Sequence, residues 1–477
     1  MKKTVDTLPL ISKIEELTGT FKKDFDFNSF EDSLIKCMYD FLAPIIQESI
    51  ESLMHEPVFL QLLKDIGGKK CLKLDGFRLA DIHILDGRNV LVSSPYFCNR
   101  SKQKPGRKKQ KRSKGNNLDC HLGLSRIGIV SHFSGNLASE ICKMAILSPS
   151  IELAGRLLSE RGVIIDEKTI RNVVRDVGQI GLANRGSISI GNNEQIEGGT
   201  LIIGADGGRI RERKDKKGRR KKGQKIKSYH TDWKEPVLFT MYLTDSEGKI
   251  DKSFTPIYDA TMQGKDYTFK LIKSYLESLD CKKISRIVFV GDGAPWIWLR
   301  VEELFNDYFQ EKPTFQILDY THAKQALNEI LDLLPKKLQK RGKLIDSFRQ
   351  RLWEGDIEGI GEMIKINFKG KGRVKALNKW KNYFLKNKDR MQYSQFKTKR
   401  LPQGSGSVES AIRRVINLRL KSSGSFWKKE NAEIYLFLRS QLISGRWNVF
   451  FENLINRLDY DEYKANIKTN AYMKWAA

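Results

Sequence analysis

In residues 286–298, RIVFVGDGAPWIW, Asp292 lies between two glycines immediately after a run of β-forming apolar residues. A strand of this composition reads as buried, and a carboxylate at its end is costly unless something compensates it. Asp-Gly after a strand is also ordinary turn chemistry, so the stretch alone leaves both readings open. A helix comes next: Pro295 suits a first helical turn, and PWIWLRVEELFNDYF continues with helical apolar spacing. The local order is strand, acid, helix.

Working outward, the same arrangement recurs. GTLIIGADGGRI (199–210) is an apolar strand ending in Asp206, and TFQILDYTHA (314–323) is another, ending in Asp319 with His322 three residues on. Between them EPVLFTMYLTD and SFTPIYDATM read as strands and DYTFKLIKSYLESL as a helix. Three strands followed by a helix–strand alternation, with acids at the strand ends, is the element order of an RNase H-like α/β core. Residues 326–400 interrupt it; they are helical and Lys-rich, carry Trp353 and Trp380, and read as an insertion. The chain returns through LPQGSGSVESAIRRVINLRLKSSGSFW (401–427), which puts Glu409 just inside a helix start, where the dipole favours its ionised form.

The net charge of +28 is segregated. Residues 101–115 hold eight Lys/Arg and no acid, residues 211–227 eleven against two acids, and residues 369–400 twelve against one. Their combined surplus equals the whole net charge. Cations gathered in tracts suit a polyanion whose phosphates pass along them; for any single tract, a solvated loop or a localisation signal is the alternative. There is no apolar run near the roughly 18 residues needed to cross a bilayer, and the charged N-terminus is unlike a signal peptide, so a cytoplasmic, nucleoid-associated protein without membrane contact is expected. Six cysteines without a CxxC pair indicate neither a disulfide framework nor a closed zinc site. Cys98, Cys120 and His121 form at most a remnant metal-binding knuckle, against ordinary thiols of a reducing compartment.

The segments expected are an N-terminal helical region with short strands (1–90), in which Pro44 and Pro57 act as breakers, a basic arm (91–125), a helix-turn-helix region (126–190), the first part of the core (196–325), the helical insertion (326–400), the final core helices with Glu409 (401–440) and a C-terminal tail (441–477). In SPSIELAGRLLSERGVIIDEKTIRNVVRDVGQIG (148–181) two short helices meet at Gly162, and Asp166 can cap the second. That helix would offer Lys168, Arg171, Asn172 and Arg175 to a DNA groove; plain helix packing is the alternative.

Asp206, Asp292 and Glu409 make a set. A pair of divalent cations that cleaves phosphodiesters needs hard anionic oxygen ligands projecting from rigid, converging elements. The flanking glycines, Gly204 and Gly293 among them, would leave room for metal and phosphate. Asp-Gly-Gly after the first strand, GDGAPWI after the fourth, LDYTHA after the fifth and GSGSVES…RLKSSGSFW at the end resemble the DDE-type transposases of bacterial insertion sequences, within that group those with a helical insertion before the Glu. The resemblance covers roughly residues 145–440. It implies that Asp206, Asp292 and Glu409 are the catalytic and metal-binding triad for two Mg²⁺ ions, with Mn²⁺ as a substitute, acting on double-stranded DNA at element ends and target as a homo-oligomer. Asp319 and His322 match an accessory Asp-x-x-His segment. Arg413 and Arg419, one and about three turns beyond Glu409, are expected to face the same groove, where they could hold a phosphate; a solvated face is the alternative. The competing readings are a structure-specific RNase H-like nuclease and a non-catalytic DNA-binding regulator derived from a transposase; the presence of all three acids speaks against the latter.

Overall fold

The computed structural model describes residues 7–98, 121–191, 198–219, 223, 228–279, 283–339 and 342–456. The chain forms two compact units, Met1–Ala183 with Phe451–Ala477, and Asn184–Phe450.

The first unit opens with α1 (Leu8–Asp24), α2 (Phe27–His55) and α3 (Pro57–Lys69), followed by the antiparallel hairpin β1 (Lys73–His83) and β2 (Asn89–Cys98). Pro57 starts α3 as expected, but Pro44 breaks nothing: it sits inside the 29-residue α2. A proline removes one hydrogen bond and bends a helix; here Ala43, Ile46 and Ile50 pack against the core cluster to which Val90 and Val92 of the hairpin belong, which carries α2 past it. Next come α4 (Leu122–Arg126), α5 (Gly135–Leu147), α6 (Ile151–Ser159) and α7 (Glu167–Ala183). Gly162 turns the chain at φ +82° between α6 and α7, and the Asp166 carboxylate accepts the Thr169 N–H at 2.6 Å. Ile170, Val173 and Val174 are buried, which leaves Lys168, Arg171 and Arg175 exposed and Asn172 half-buried. Arg171 is paired with Glu167, one turn back.

The second unit contains β3 (Thr200–Gly207), β4 (Ile210–Asp215), β5 (Tyr229–Lys234), β6 (Val237–Thr244), β7 (Ile257–Thr261), α8 (Lys265–Ser278), β8 (Arg286–Gly291), α9 (Pro295–Tyr308), β9 (Thr314–Leu318) and α10 (Tyr320–Leu331). Five of these strands form a mixed sheet in the order β7-β6-β3-β8-β9. β3, β6 and β7 run antiparallel in succession, whereas β3, β8 and β9 run parallel. Parallel strands need crossovers, which α8 and α9 supply. β3 and β8 are apolar at almost every position because both faces of the sheet are covered. On one face Tyr275 and Phe269 of α8 meet Phe239 and Phe289 edge-on and stacked; the other carries the helix that follows Ser405.

Helices α11 (Lys336–Gln339), α12 (Gly342–Glu354), α13 (Ile357–Asn367) and α14 (Gly370–Lys379), a π-turn (Trp380–Phe384), a 3₁₀ stretch (Leu385–Arg390) and α15 (Tyr393–Thr398) fill the interval before the chain returns. They are no separate module: Phe348, Leu352, Ile364, Phe384 and Tyr393 share one continuous core with the sheet. Arg390 donates to Gln316 of the edge strand β9 at 2.7 Å, so the edge is covered. The last described elements are α16 (Gly406–Ile412), a π-turn (Arg413–Asn417), α17 (Leu418–Leu420), α18 (Lys429–Ser444) and α19 (Trp447–Asn456). Buried Arg185 fastens α18 to the sheet: it grips Asp259 of β7 with two bonds of 2.7 and 2.6 Å and also pairs with Glu433 of α18. A bidentate pair of this kind fixes geometry as well as charge.

Candidate functional site

The register of the parallel strands brings the carboxylates together. β3 and β8 pair from Thr200↔Arg286 to Gly204↔Val290, and two further residues set Asp206 beside Asp292. β8 and β9 pair as far as Gly291↔Leu318, and the next step sets Asp292 beside Asp319; the Asp319 N–H donates to the Gly291 carbonyl at 2.8 Å, continuing the ladder. Three acids thus stand in a row across the C-terminal ends of three adjacent strands.

The fourth acid arrives on a helix laid over this row. Gly204 shares a face of β3 with Asp206, and a Cβ there would lie 2.5 Å from Val408 Cγ2 of α16. The missing side chain lets α16 close onto β3 and carry the next residue, Glu409, to the site. Gly293 similarly yields its space to the Tyr383 ring. These glycines admit protein, where the sequence suggested room for metal and phosphate.

Asp319 and His322 have a clear structural part. Asp319 is 1% exposed. One of its oxygens accepts the backbone N–H of His322 at 2.8 Å and faces His322 Nδ1 at 3.2 Å; the other accepts the Ser405 hydroxyl at 2.7 Å and the Ser405 N–H. Burial alone would raise this carboxyl, but the bonds from His322 and Ser405 outweigh it and hold it well below the ordinary carboxylate range. Ser405 is the N-cap residue of α16, yet its side chain makes no cap bond to its own helix. It is engaged by Asp319 instead, so the loop entering the Glu409 helix is tied to the end of β9.

The His322 ring, hydrogen-bonded to Asp319, favours the imidazolium form; burial opposes this, and the charges of Asp319, Asp206 and Asp292 add to it. Asp319, His322 and Glu409 offer ligand atoms within 4.8 Å of one another, a spacing that could hold a cation. The Asp206 carboxyl is raised, by burial first and by the Asp292 and Glu409 charges; the Gly207 N–H and His322 pull the other way. Four acids and a histidine therefore sense one another at one end of the sheet. Asp292 also does the turn work considered for it: one oxygen accepts the Ala294 N–H at 2.9 Å. The two readings of that residue are compatible.

The two arginines part company. Arg413 is exposed. Arg419 is 6% exposed, with its guanidinium 5.0 Å from the Trp427 ring and 5.4 Å from that of Tyr435. The expected groove position fails because residues 413–417 wind as a π-turn. Its extra residue rotates everything beyond it relative to an α-helix. Arg439 of α18 donates to the Val415 carbonyl at 2.7 Å and to that of Arg414, satisfying backbone the π-turn leaves open. Trp298 is core and Trp296 packs against it. In the first unit Cys98 is a buried free thiol and burial pushes His121 down to about 4, with the charges of His132 and Arg78 adding to this; Cys120 and the tract 101–115 lie outside the described residues.

The family described as "Uncharacterised protein family (UPF0236)" matches residues 116–448. The chain belongs to this family. That match takes in every acid of the site as well as α6 and α7. A UPF0236 protein of Caldanaerobacter subterraneus subsp. tengcongensis, whose name joins eleven locus designations, is 28% identical over 167 residues, 33% of this chain and 31% of that protein. The chain thus matches about a third of that relative's length. Among solved structures, the Drosophila P element transposase strand transfer complex aligns with 72% of this chain and 92% of its own at 10% identity and a TM-score of 0.25, a likeness too distant to carry weight here. No helix among the described residues of this UPF0236 chain is long and apolar enough to cross a membrane.

Proposed function

We propose that this UPF0236 chain is a DNA transposase that cleaves phosphodiesters at the ends of an insertion sequence and joins them to a target by a two-metal mechanism of the DDE type. The observation that carries this reading is the row of Asp206 and Asp292 at adjacent strand ends with Glu409 brought over it by α16. In chain order the sheet reads 3-2-1-4-5, antiparallel then parallel, which supports an RNase H-like core. A relative named for eleven loci is what an element that copies itself through a genome leaves behind.

The donor set suits two Mg²⁺ or Mn²⁺ ions: the oxygens are hard and anionic, and Asp206 is raised by burial first and then by neighbouring negative charge that cations would relieve. Bound there, such ions would activate a water or 3′-hydroxyl for in-line attack. Asp206, Asp292 and Glu409 hold the site; Asp319 keeps the His322 ring and the α16 entrance in place. Incubating the protein with Mg²⁺ and DNA bearing the element ends tests the proposal: strand cuts at the ends with joined products are expected, and cuts that are never followed by joining would make the chain a nuclease.

Two further results are expected on the DNA side. Exposed Lys369, Lys371, Arg373 and Lys375 start the third basic tract on α14. Changing the last three to Gln should lower the slope of log affinity against log salt by about 0.9 for each phosphate no longer bound; an unchanged slope removes α14 from the DNA path. On α7, Arg171→Ala with Asn172→Ala should relax discrimination between end DNA and random DNA more than it weakens random binding, whereas equal losses on both would make α7 scaffold.

A further inference from the structure

Beyond Asp206 the catalytic-side hairpin does not stop. β3 and β6 pair up to Gly207↔Val237, and β4 and β5 continue in the same register from Ile210↔Lys234 to Asp215↔Tyr229, bridged by the Gly208 N–H on the Pro236 carbonyl at 2.8 Å. The result is one long ribbon that leaves the sheet two to three residues after Asp206. Trp427 secures it at the outer edge of β4: its N–H donates to the Arg211 carbonyl at 3.0 Å, and its own carbonyl accepts the Arg213 N–H at 2.7 Å.

One side of this ribbon alternates cations with rings. Arg209 and Arg211 lie over Trp233 at 4.8 and 5.5 Å, Arg211 also over Phe426 at 4.9 Å, and Arg213 over Tyr229 at 4.4 Å. Trp233 is 44% exposed, and Tyr229 and Phe426 are each 37% exposed. Arg213 is paired with Asp215 at 3.4 Å, whereas Arg209 and Arg211 have no carboxylate partner among the described residues. Towards the tip, Lys216, Lys217 and Arg219 are exposed as well. Three large aromatic side chains are thus partly exposed beneath long cationic side chains, with the Tyr229 and Phe426 rings also tilted against each other at 5.9 Å, a grouping that is unusual for a protein surface. They match a ligand that presents both phosphates and flat π-faces: the guanidinium moves to the phosphate and the base takes its place on the ring.

We propose that the β4–β5 ribbon with Phe426 binds unpaired nucleotides of the DNA strand next to the scissile phosphate. Paired bases in a duplex hide their faces, so the rings select a strand that is frayed or already cut, and the continuity of the ribbon with β3 sets that strand beside Asp206. The proposal rests on the reading of DNA as substrate, but its test does not need catalysis. The full-length protein, in EDTA, is titrated with a labelled duplex ending in an unpaired single-stranded arm and with a blunt duplex of equal charge. The wild type is expected to prefer the forked DNA, and Trp233→Ala with Tyr229→Ala to lose at least tenfold in affinity for it with little change on the blunt one. Trp233→Leu, which keeps apolar bulk without a π-face, should behave as Trp233→Ala, and thermal melting checks that each variant is folded. Equal binding of the two DNAs by the wild type, or forked-DNA affinity unmoved by the aromatic changes, overturns the proposal. A ring-dependent fork preference in a protein that never cleaves DNA would leave the ribbon site standing and sink the transposase reading instead.

Discussion

Asp292→Asn is expected to lose DNA cleavage and strand transfer by several orders of magnitude while folding and binding DNA as before. The substitution is unusually clean here. The bond that shapes the turn runs from the Ala294 N–H to Asp292 Oδ1, and an asparagine carbonyl accepts it equally well. What disappears is one negative charge from a crowded set: Asp206 is raised by burial first and then by the charges of Asp292 and Glu409. Without metal, removing one of the like charges should leave thermal stability unchanged or slightly higher. With Mg²⁺ the wild type should gain stability by binding the ion in its folded state only, and the Asp292→Asn protein should gain much less. Asp206→Asn and Glu409→Gln should be comparably inactive, and double variants hardly worse than singles, because groups that act as a unit are not additive. Two measurements decide it, cleavage of a labelled end fragment and melting with and without Mg²⁺. An active Asp292→Asn protein reduces the residue to its turn bond.

Why some of this was legible in the sequence and some was not depends on how local each signal is. A carboxylate closing an apolar strand is a local anomaly, so Asp206, Asp292 and Asp319 stand out one by one, and the strand–acid–helix order gives the core. The equal level of the three depends on strand register, which no short stretch records. Asp319 caps α10 through the His322 N–H, a task that its place before a helix allowed, but it also meets Ser405 across 86 positions of chain, and that second task could not be read from Asp-x-x-His. Arg419 misled because helical periodicity presumes 3.6 residues per turn, and the π-turn at 413–417 changes the count. The ribbon was hidden by its own charge: IRERKD alternates, yet the members that alternate with the buried ones are half-buried arginines, and the stretch read as a basic tract. Its aromatic partners, Tyr229 and Trp233, come after the tract and belong to it only through cross-strand pairing.

Removing the Asp319 carboxylate should act in a different way from removing that of Asp292. Asp319 is buried, and all of its described bonds serve other parts of the protein: the His322 backbone and ring on one oxygen, the Ser405 N–H and hydroxyl on the other. Asp319→Ala strands donors that have lost their solvent, at about 1–3 kcal/mol for each one left unpaired. Melting should therefore fall by several degrees even without metal, the opposite of Asp292→Asn. Asp319→Asn is the sharper probe. Its carbonyl can satisfy one side, but its NH₂ then points at donors on the other, so either His322 or Ser405 is released. Releasing Ser405 frees the entrance of α16, and Glu409, four residues on, loses its fixed position over Asp206. A shift of about 1 Å in such a group can cost on the order of a hundredfold in rate. At a temperature well below the melting point of the variant, cleavage by Asp319→Asn should thus be reduced about a hundredfold, and Ser405→Ala, which removes only the hydroxyl bond and keeps the N–H, should be reduced less. If Asp319→Asn cleaved at the wild-type rate under those conditions despite a lower melting point, the bond to Ser405 would stabilise the fold without positioning Glu409.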